Sequence, residues 1–191
     1  MIHFIHGIHV NDPYQSVGTL EPYFNMKGFG TKVHNYGYAW ATGTRFSNPK
    51  RAKILGSFVN PNDIIVGHSN GATLAWMIAN QQPIRGIVLI NPALDDDAKF
   101  DKQLEFIDVY YNHTDSAVPW ASLLQFNHPW GDMGHEGYTG MDNRVTNIDC
   151  CNGYGAMLPC VDGHSAIFHG QNLEPWANFM VNRCVDHLSR T

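Results

Sequence analysis

A chain of 191 residues suits one domain that buries about 70% of its unfolded surface, so a real core is expected. It is 43% hydrophobic and 15% charged, which excludes a disordered chain, and a net charge of −5 without any Lys/Arg run argues against a nucleic-acid partner. No apolar run reaches the ~18 residues of a membrane span. The chain enters a core strand at once, without a charged leader or cleavage site, so a cytoplasmic location is expected.

Taken in order, residues 2 to 6 read as a first strand that ends in His6-Gly7-Ile8-His9. Ser16 is placed to cap a helix running to about Lys27, stopped by Gly28-Phe29-Gly30. Thr31 to Tyr38 is a second strand near an edge, and Ala39 to Asn48 a loop. Pro49 suits the first turn of a helix in which Ala52, Ile54, Leu55, Phe58 and Val59 give the apolar spacing. Ile64-Ile65-Val66 is a short buried strand, Gly67-His68-Ser69-Asn70-Gly71 a sharp turn, and Ala72 to Ala79 a helix. Ile84 to Ile90 and Leu104 to Tyr111 are further strands, the first apolar enough to be buried on both faces. Val118 to Phe126 reads as a short helix, Val145 to Cys150 as a last strand, and Glu174-Pro175 to Leu188 as the final helix. Strands alternating with helices imply a mostly parallel sheet between two helical layers, a three-layer α/β/α sandwich in a single domain.

Four cysteines (Cys150, Cys151, Cys160 and Cys184) are too few and too clustered for a disulfide framework. Reduced thiols are expected, with a Cys151–Cys160 link as the other reading. Eleven histidines show no His-Glu-x-x-His spacing and no Cys-x-x-Cys accompanies them, so neither a metal nor a cofactor is expected.

The chemistry centres on the strand, Gly-x-Ser-x-Gly and helix succession. Glycines two before and two after Ser69 let strand and helix pack around a strained turn that lifts the hydroxyl clear, and the turn aims the Asn70 amide at the same space. Serine is a weak nucleophile. It needs a base, and the base needs an acid that orients it. Asp115 follows one strand and His164 follows the last, which gives the chain order Ser69, Asp115, His164. Asp95, Asp96 and Asp97 compete for the acid, and His135 and His169 for the base. Asp108 lies inside a strand, which suits a structural carboxylate, and His68 is expected to pack beside the site.

On His6-Gly7, Gly67-His68-Ser69-Asn70-Gly71, Asp115-Ser116-Ala117-Val118-Pro119 and Asp162-Gly163-His164-Ser165, the chain resembles the α/β-hydrolase superfamily, in particular its small esterases and lipases. The resemblance implies a Ser69–His164–Asp115 triad, an oxyanion hole made by the amides of Ile8 and Asn70, and an acyl-enzyme route for a small ester or thioester. The superfamily's first two strands have no counterpart here. The 49 residues from Asp115 to His164 leave room for an inserted lid or flap at about 127–158. His9, Trp40 and Trp130 are the expected substrate contacts, with Phe46 and Trp120 as further aromatics on the loops. A binding protein on the same fold, a cell-envelope lipid esterase, and a redox or metal protein built on the cysteines and histidines are the competing readings.

Overall fold

The computed structural model describes residues 1–40, 43–117, 130–152 and 157–189. The 118–126 helix expected from the sequence, with Trp120, lies outside the described residues. Six described strands, β1 (Ile2–Ile5), β2 (Thr31–His34), β3 (Ile64–His68), β4 (Gly86–Ile90), β5 (Phe106–Tyr111) and β6 (Val145–Asp149), form one sheet in the order β2-β1-β3-β4-β5-β6. Every pairing is parallel. Parallel neighbours require crossovers, and these are supplied by α1 (Glu21–Met26), α2 (Thr44–Gly56) and α3 (Asn70–Ala79) between the first four strands. A one-turn helix α4 (Met133–Glu136) precedes β6, and α5 (Gly170–Ser189) follows it.

The period-2 alternation of the strands sorts their side chains into two cores. Ile64 and Val66 of β3, Val88 and Ile90 of β4, and Phe106 and Tyr110 of β5 join Leu20, Phe24, Trp176 and Met180 under α1 and α5. Their alternates Ile65, Ile87, Leu89, Ile107 and Val109 join Leu55, Leu74 and Ile78 under α2 and α3. Two cores on opposite faces of one sheet make the three layers expected.

Some boundaries move, each for a local reason. β2 stops at His34 because the Asn35 side chain accepts the Gly37 amide, and Gly37 turns at a φ of 81°. The segment after Ser16 is a 3-10 turn (Val17–Leu20) that only then becomes α1. Ser16 caps nothing with its side chain, and its hydroxyl turns back to the Pro13 carbonyl. Pro49 and Pro175 sit inside α2 and α5, which begin at Thr44 and Gly170. Each proline removes a single amide early in its helix, and packing against the sheet carries the extra turn. Within the segment expected as an insertion, Val145–Asp149 is the edge strand β6 and Met133 is a fully buried core residue.

Among the described residues no helix is long and apolar enough to cross a membrane, and no group of three His, Cys, Asp or Glu is placed to hold a metal. All four cysteines are free.

The chain moves from β1 outward to β2 and returns past β1 to β3, so the direction of winding reverses between β1 and β3. Ligands in open parallel sheets bind at that reversal, beyond the strands' carboxyl ends. Gly7 and Ser69 leave those two ends side by side.

Candidate active site

Ser69 has φ 56° and ψ −123°, outside the regions a side chain adopts freely. Its neighbours impose this. A Cβ on Gly67 would lie 2.6 Å from the Gly71 carbonyl oxygen, and one on Gly71 would lie 2.5 Å from that of His6, so only glycines let strand and helix approach this closely. The Ser69 amide donates to Ile90 O at 3.0 Å and its carbonyl accepts from Ala72 N–H, which pins the turn to β4 and α3. His9 and Asn91 are the other non-glycine residues with positive φ among those described, and both belong to this site. Backbone strain of this kind clusters at active sites and ligand clamps in proteins generally.

The Asp115 carboxylate is fully buried, accepts the Ala117 amide at 2.8 Å, and lies 2.6 Å from His164 Nδ1. A carboxylate only accepts, so Nδ1 carries the hydrogen, and Nε2 is the nitrogen left to take a proton. The loop bearing His164 is held from three sides. Asn112 Nδ2 donates to Val161 O and Gly163 O, both at 3.1 Å, and Thr114 accepts the Gly163 amide. The His164 carbonyl accepts from Asn91 Nδ2 at 2.6 Å and from His68 Nε2 at 3.1 Å. Burial, followed by the neighbouring His164, drives the His68 pKa well down, so that ring is neutral.

A cavity of about 260 Å³ opens over this group. Gly7, Ile8, His9, Ser69, Trp130 and His164 are among the residues that line it. The Ser69 hydroxyl makes no hydrogen bond among the described residues, although Ser69 and His164 line the same cavity. Asn70, first residue of α3, occupies the position where a backbone N–H has no helical partner. Its side chain accepts from Asn48 Nδ2 at 2.6 Å and from Trp130 Nε1 at 3.0 Å, and donates to Tyr36 Oη at 3.2 Å.

The structure thus brings Ser69, Asp115, His164, Ile8, Asn70, His9 and Trp130 together. Trp40 is set apart: it is 68% exposed, packs edge-on against His9, and does not line the cavity. Of the competing groups, Asp108 is locked to Arg183 by bonds of 2.7 and 2.6 Å on the α5 side of the sheet. Asp96 holds Thr139, and the Asp95 backbone packs against Gly131. His135 meets the Asp115 main-chain carbonyl rather than its carboxylate, and His169 is exposed. Sequence reasoning missed Tyr36, Asn48, Asn91 and Asn112. Asn91 and Asn112 each stand directly after a strand, where a side-chain amide can bond neighbouring loops, and that was their one available signal.

No family model matches the chain, and no curated protein matches it. Solved structures do, at low identity. A monoacylglycerol lipase from Paleococcus ferrophilus is 15% identical with a TM-score of 0.59, covering 97% of this chain and 94% of that one. The esterase domain of a Rhodothermus marinus protein is 11% identical with a TM-score of 0.59, covering 99% and 86%. A protein from Xanthomonas campestris pv. campestris, named for the alpha/beta hydrolase superfamily, is 14% identical with a TM-score of 0.57, covering 100% and 98%. Likeness at this level speaks for the architecture: the chain has the α/β-hydrolase fold.

Proposed function

We propose that the protein is a serine hydrolase that cleaves a small carboxylic ester or thioester through an acyl-enzyme. The observation that carries this reading is the buried Asp115–His164 bond of 2.6 Å, opening into the same cavity as a serine on a strained turn. His164 Nε2 takes the Ser69 proton as Oγ attacks the substrate carbonyl. Asp115 holds the tautomer and stabilises the imidazolium, and the Ile8 and Asn70 amides receive the oxyanion. The tetrahedral intermediate then expels the alcohol or thiol, which takes its proton from His164, and water repeats the sequence on the acyl-enzyme. Ser69 and His164 line one cavity, and hydrogen bonds between a nucleophile and its base commonly tighten when substrate arrives. The cavity's volume, about 260 Å³, is close to the ~300 Å³ at which small-molecule sites begin, which suits a small ester substrate. Two of the structural neighbours carry the names of an esterase and a lipase, which agrees with ester chemistry.

The unbonded Ser69 hydroxyl favours one rival, a binding protein that keeps the fold and no turnover. A fluorophosphonate probe separates the two. Labelling of the native protein that vanishes in Ser69→Ala, together with Ser69-dependent hydrolysis of nitrophenyl esters that declines with chain length, supports the hydrolase. Absence of labelling and turnover in the native protein favours the binder.

A further inference from the structure

We propose that Tyr36 and His6 are positioning residues that aim the oxyanion hole, acting together on the carbonyl of Gly7. The inference rests on the hydrolase reading above and adds to it the groups that hold the oxyanion donors in place.

Hydrogen-bond directions in the Asn70 network follow from one fixed donor. Trp130 Nε1–H can only donate, so the Asn70 atom 3.0 Å away is the amide oxygen. The Asn70 NH2 group therefore faces Tyr36, whose hydroxyl accepts from it at 3.2 Å. The Tyr36 hydroxyl then has its own hydrogen left to give, and it gives it to Gly7 O at 2.8 Å. His6 Nδ1 lies 2.7 Å from the same oxygen, and a carbonyl requires that nitrogen to be the protonated one. Two donors thus grip a single acceptor. Their rings are stacked face to face, with centroids 4.1 Å apart and planes 4° from parallel, so neither moves without the other.

The consequence lies across the peptide bond. In a trans peptide the carbonyl of one residue and the N–H of the next point in opposite directions. Holding Gly7 O toward Tyr36 and His6 turns the Ile8 N–H the other way, and Ile8 borders the cavity. Gly7 itself is pressed against the nucleophile, since a Cβ there would lie 3.0 Å from Ser69 Cβ. The same phenol reaches the second donor as well, because its Asn70 bond ties down the side chain of the residue whose amide completes the hole. One hydroxyl therefore links both halves of the anion-binding pair. Burial raises the Tyr36 phenol to about 12, so this donor keeps its hydrogen throughout the neutral and mildly alkaline range.

The test is Tyr36→Phe, which deletes one hydroxyl and keeps the ring. Losing an oxyanion donor outright costs about 10²–10³ in rate, so misaiming one is expected to lower kcat about 10- to 100-fold while KM stays within about twofold. The affinity for a trifluoromethyl ketone, whose adduct with serine presents an oxyanion, should fall in parallel. His6→Phe, which keeps the stack and removes the other donor, should act in the same direction. If the native enzyme shows Ser69-dependent turnover and Tyr36→Phe matches it within twofold, or loses kcat with unchanged ketone affinity, the positioning role is overturned and the hydrolase reading stands. If the native protein shows neither turnover nor fluorophosphonate labelling, the hydrolase reading fails and this inference with it.

Discussion

The ring of His68 lies 4.7 Å from that of His164, and its Nε2 donates to the carbonyl of that same residue at 3.1 Å. The residue before the proposed nucleophile thus grips the backbone of the proposed base. It does so without adding charge beside the His164 ring, because burial keeps the His68 imidazole neutral. His68→Gln keeps a donor of similar reach and is expected to retain kcat within about threefold. His68→Ala removes one of the loop's several holds, the one beside the His164 ring, and is expected to lower kcat about 10- to 100-fold with KM little changed, as small misplacements of a catalytic group do. Steady-state kinetics on a short nitrophenyl ester checks both variants.

A second prediction concerns stability. Asp108 is buried in β5, where burial alone would raise its carboxyl pKa. The two Arg183 bonds and the His187 contact at 3.3 Å outweigh that and hold it below the usual range. Arg183→Met keeps the aliphatic packing of α5 and leaves the carboxylate only the His187 contact among the described residues. Removing one member of a buried pair costs about 3–5 kcal/mol, so urea midpoints at pH 7 should fall accordingly, while Asp108→Asn with Arg183→Met should recover part of the loss.

A third prediction is a pH dependence built into the outer end of the sheet. His3 Nε2 lies 3.1 Å from Asp63 Oδ2, so that nitrogen is the donor, and His3 Nδ1 accepts from His34 Nε2 at 2.8 Å. Burial, helped by His3 and Lys32, drives the His34 pKa down to about 4. An unfolded histidine titrates near 6.5, so between these values the unfolded chain binds a proton that the native chain refuses. Stability from this ring is complete above about pH 6.5 and falls as pH drops toward 4. The loss between pH 7 and pH 5 is on the order of 2 kcal/mol. Burial pushes the Asp63 carboxyl up, but its bonds to the terminal ammonium, the Asn60 amide and His3 prevail and hold it at about 2. Its contribution is therefore lost only in stronger acid. Urea unfolding of the native protein and of His34→Gln at both pH values should show the steeper acid loss in the native protein alone.

Legibility of the fold and site in the sequence follows the range of each interaction. Ser69 was readable because its strain is local: two glycines, a strand before and a helix after are all written within a few residues. The sheet was readable because a strand buried on both faces, such as Ile87 to Ile90 within Ile84 to Ile90, leaves a nearly continuous apolar run. Asp115 and His164 could be ranked by their places after strands, but their bond joins loops 49 residues apart and needed coordinates. Tyr36, Asn48 and Asn91 act across still other separations, and nothing near them in the chain distinguishes a polar residue that braces a site from one that faces water. Trp40 lies off the cavity, and its direction was not legible for the complementary reason: an aromatic on a loop near the site carries no mark of which way it turns.

The layer formed by Leu20, Phe24, Trp176 and Met180 has a consequence for how the molecule is made. One side of the sheet is closed by elements from opposite ends of the chain. A nascent chain leaving the ribosome can therefore assemble α2 and α3 on their side while the other side waits for residues 170–189. Until that last helix arrives, Val66, Ile90 and Tyr110 present an open apolar surface. This interval of vulnerability to association is set by synthesis rather than by any property of the finished fold.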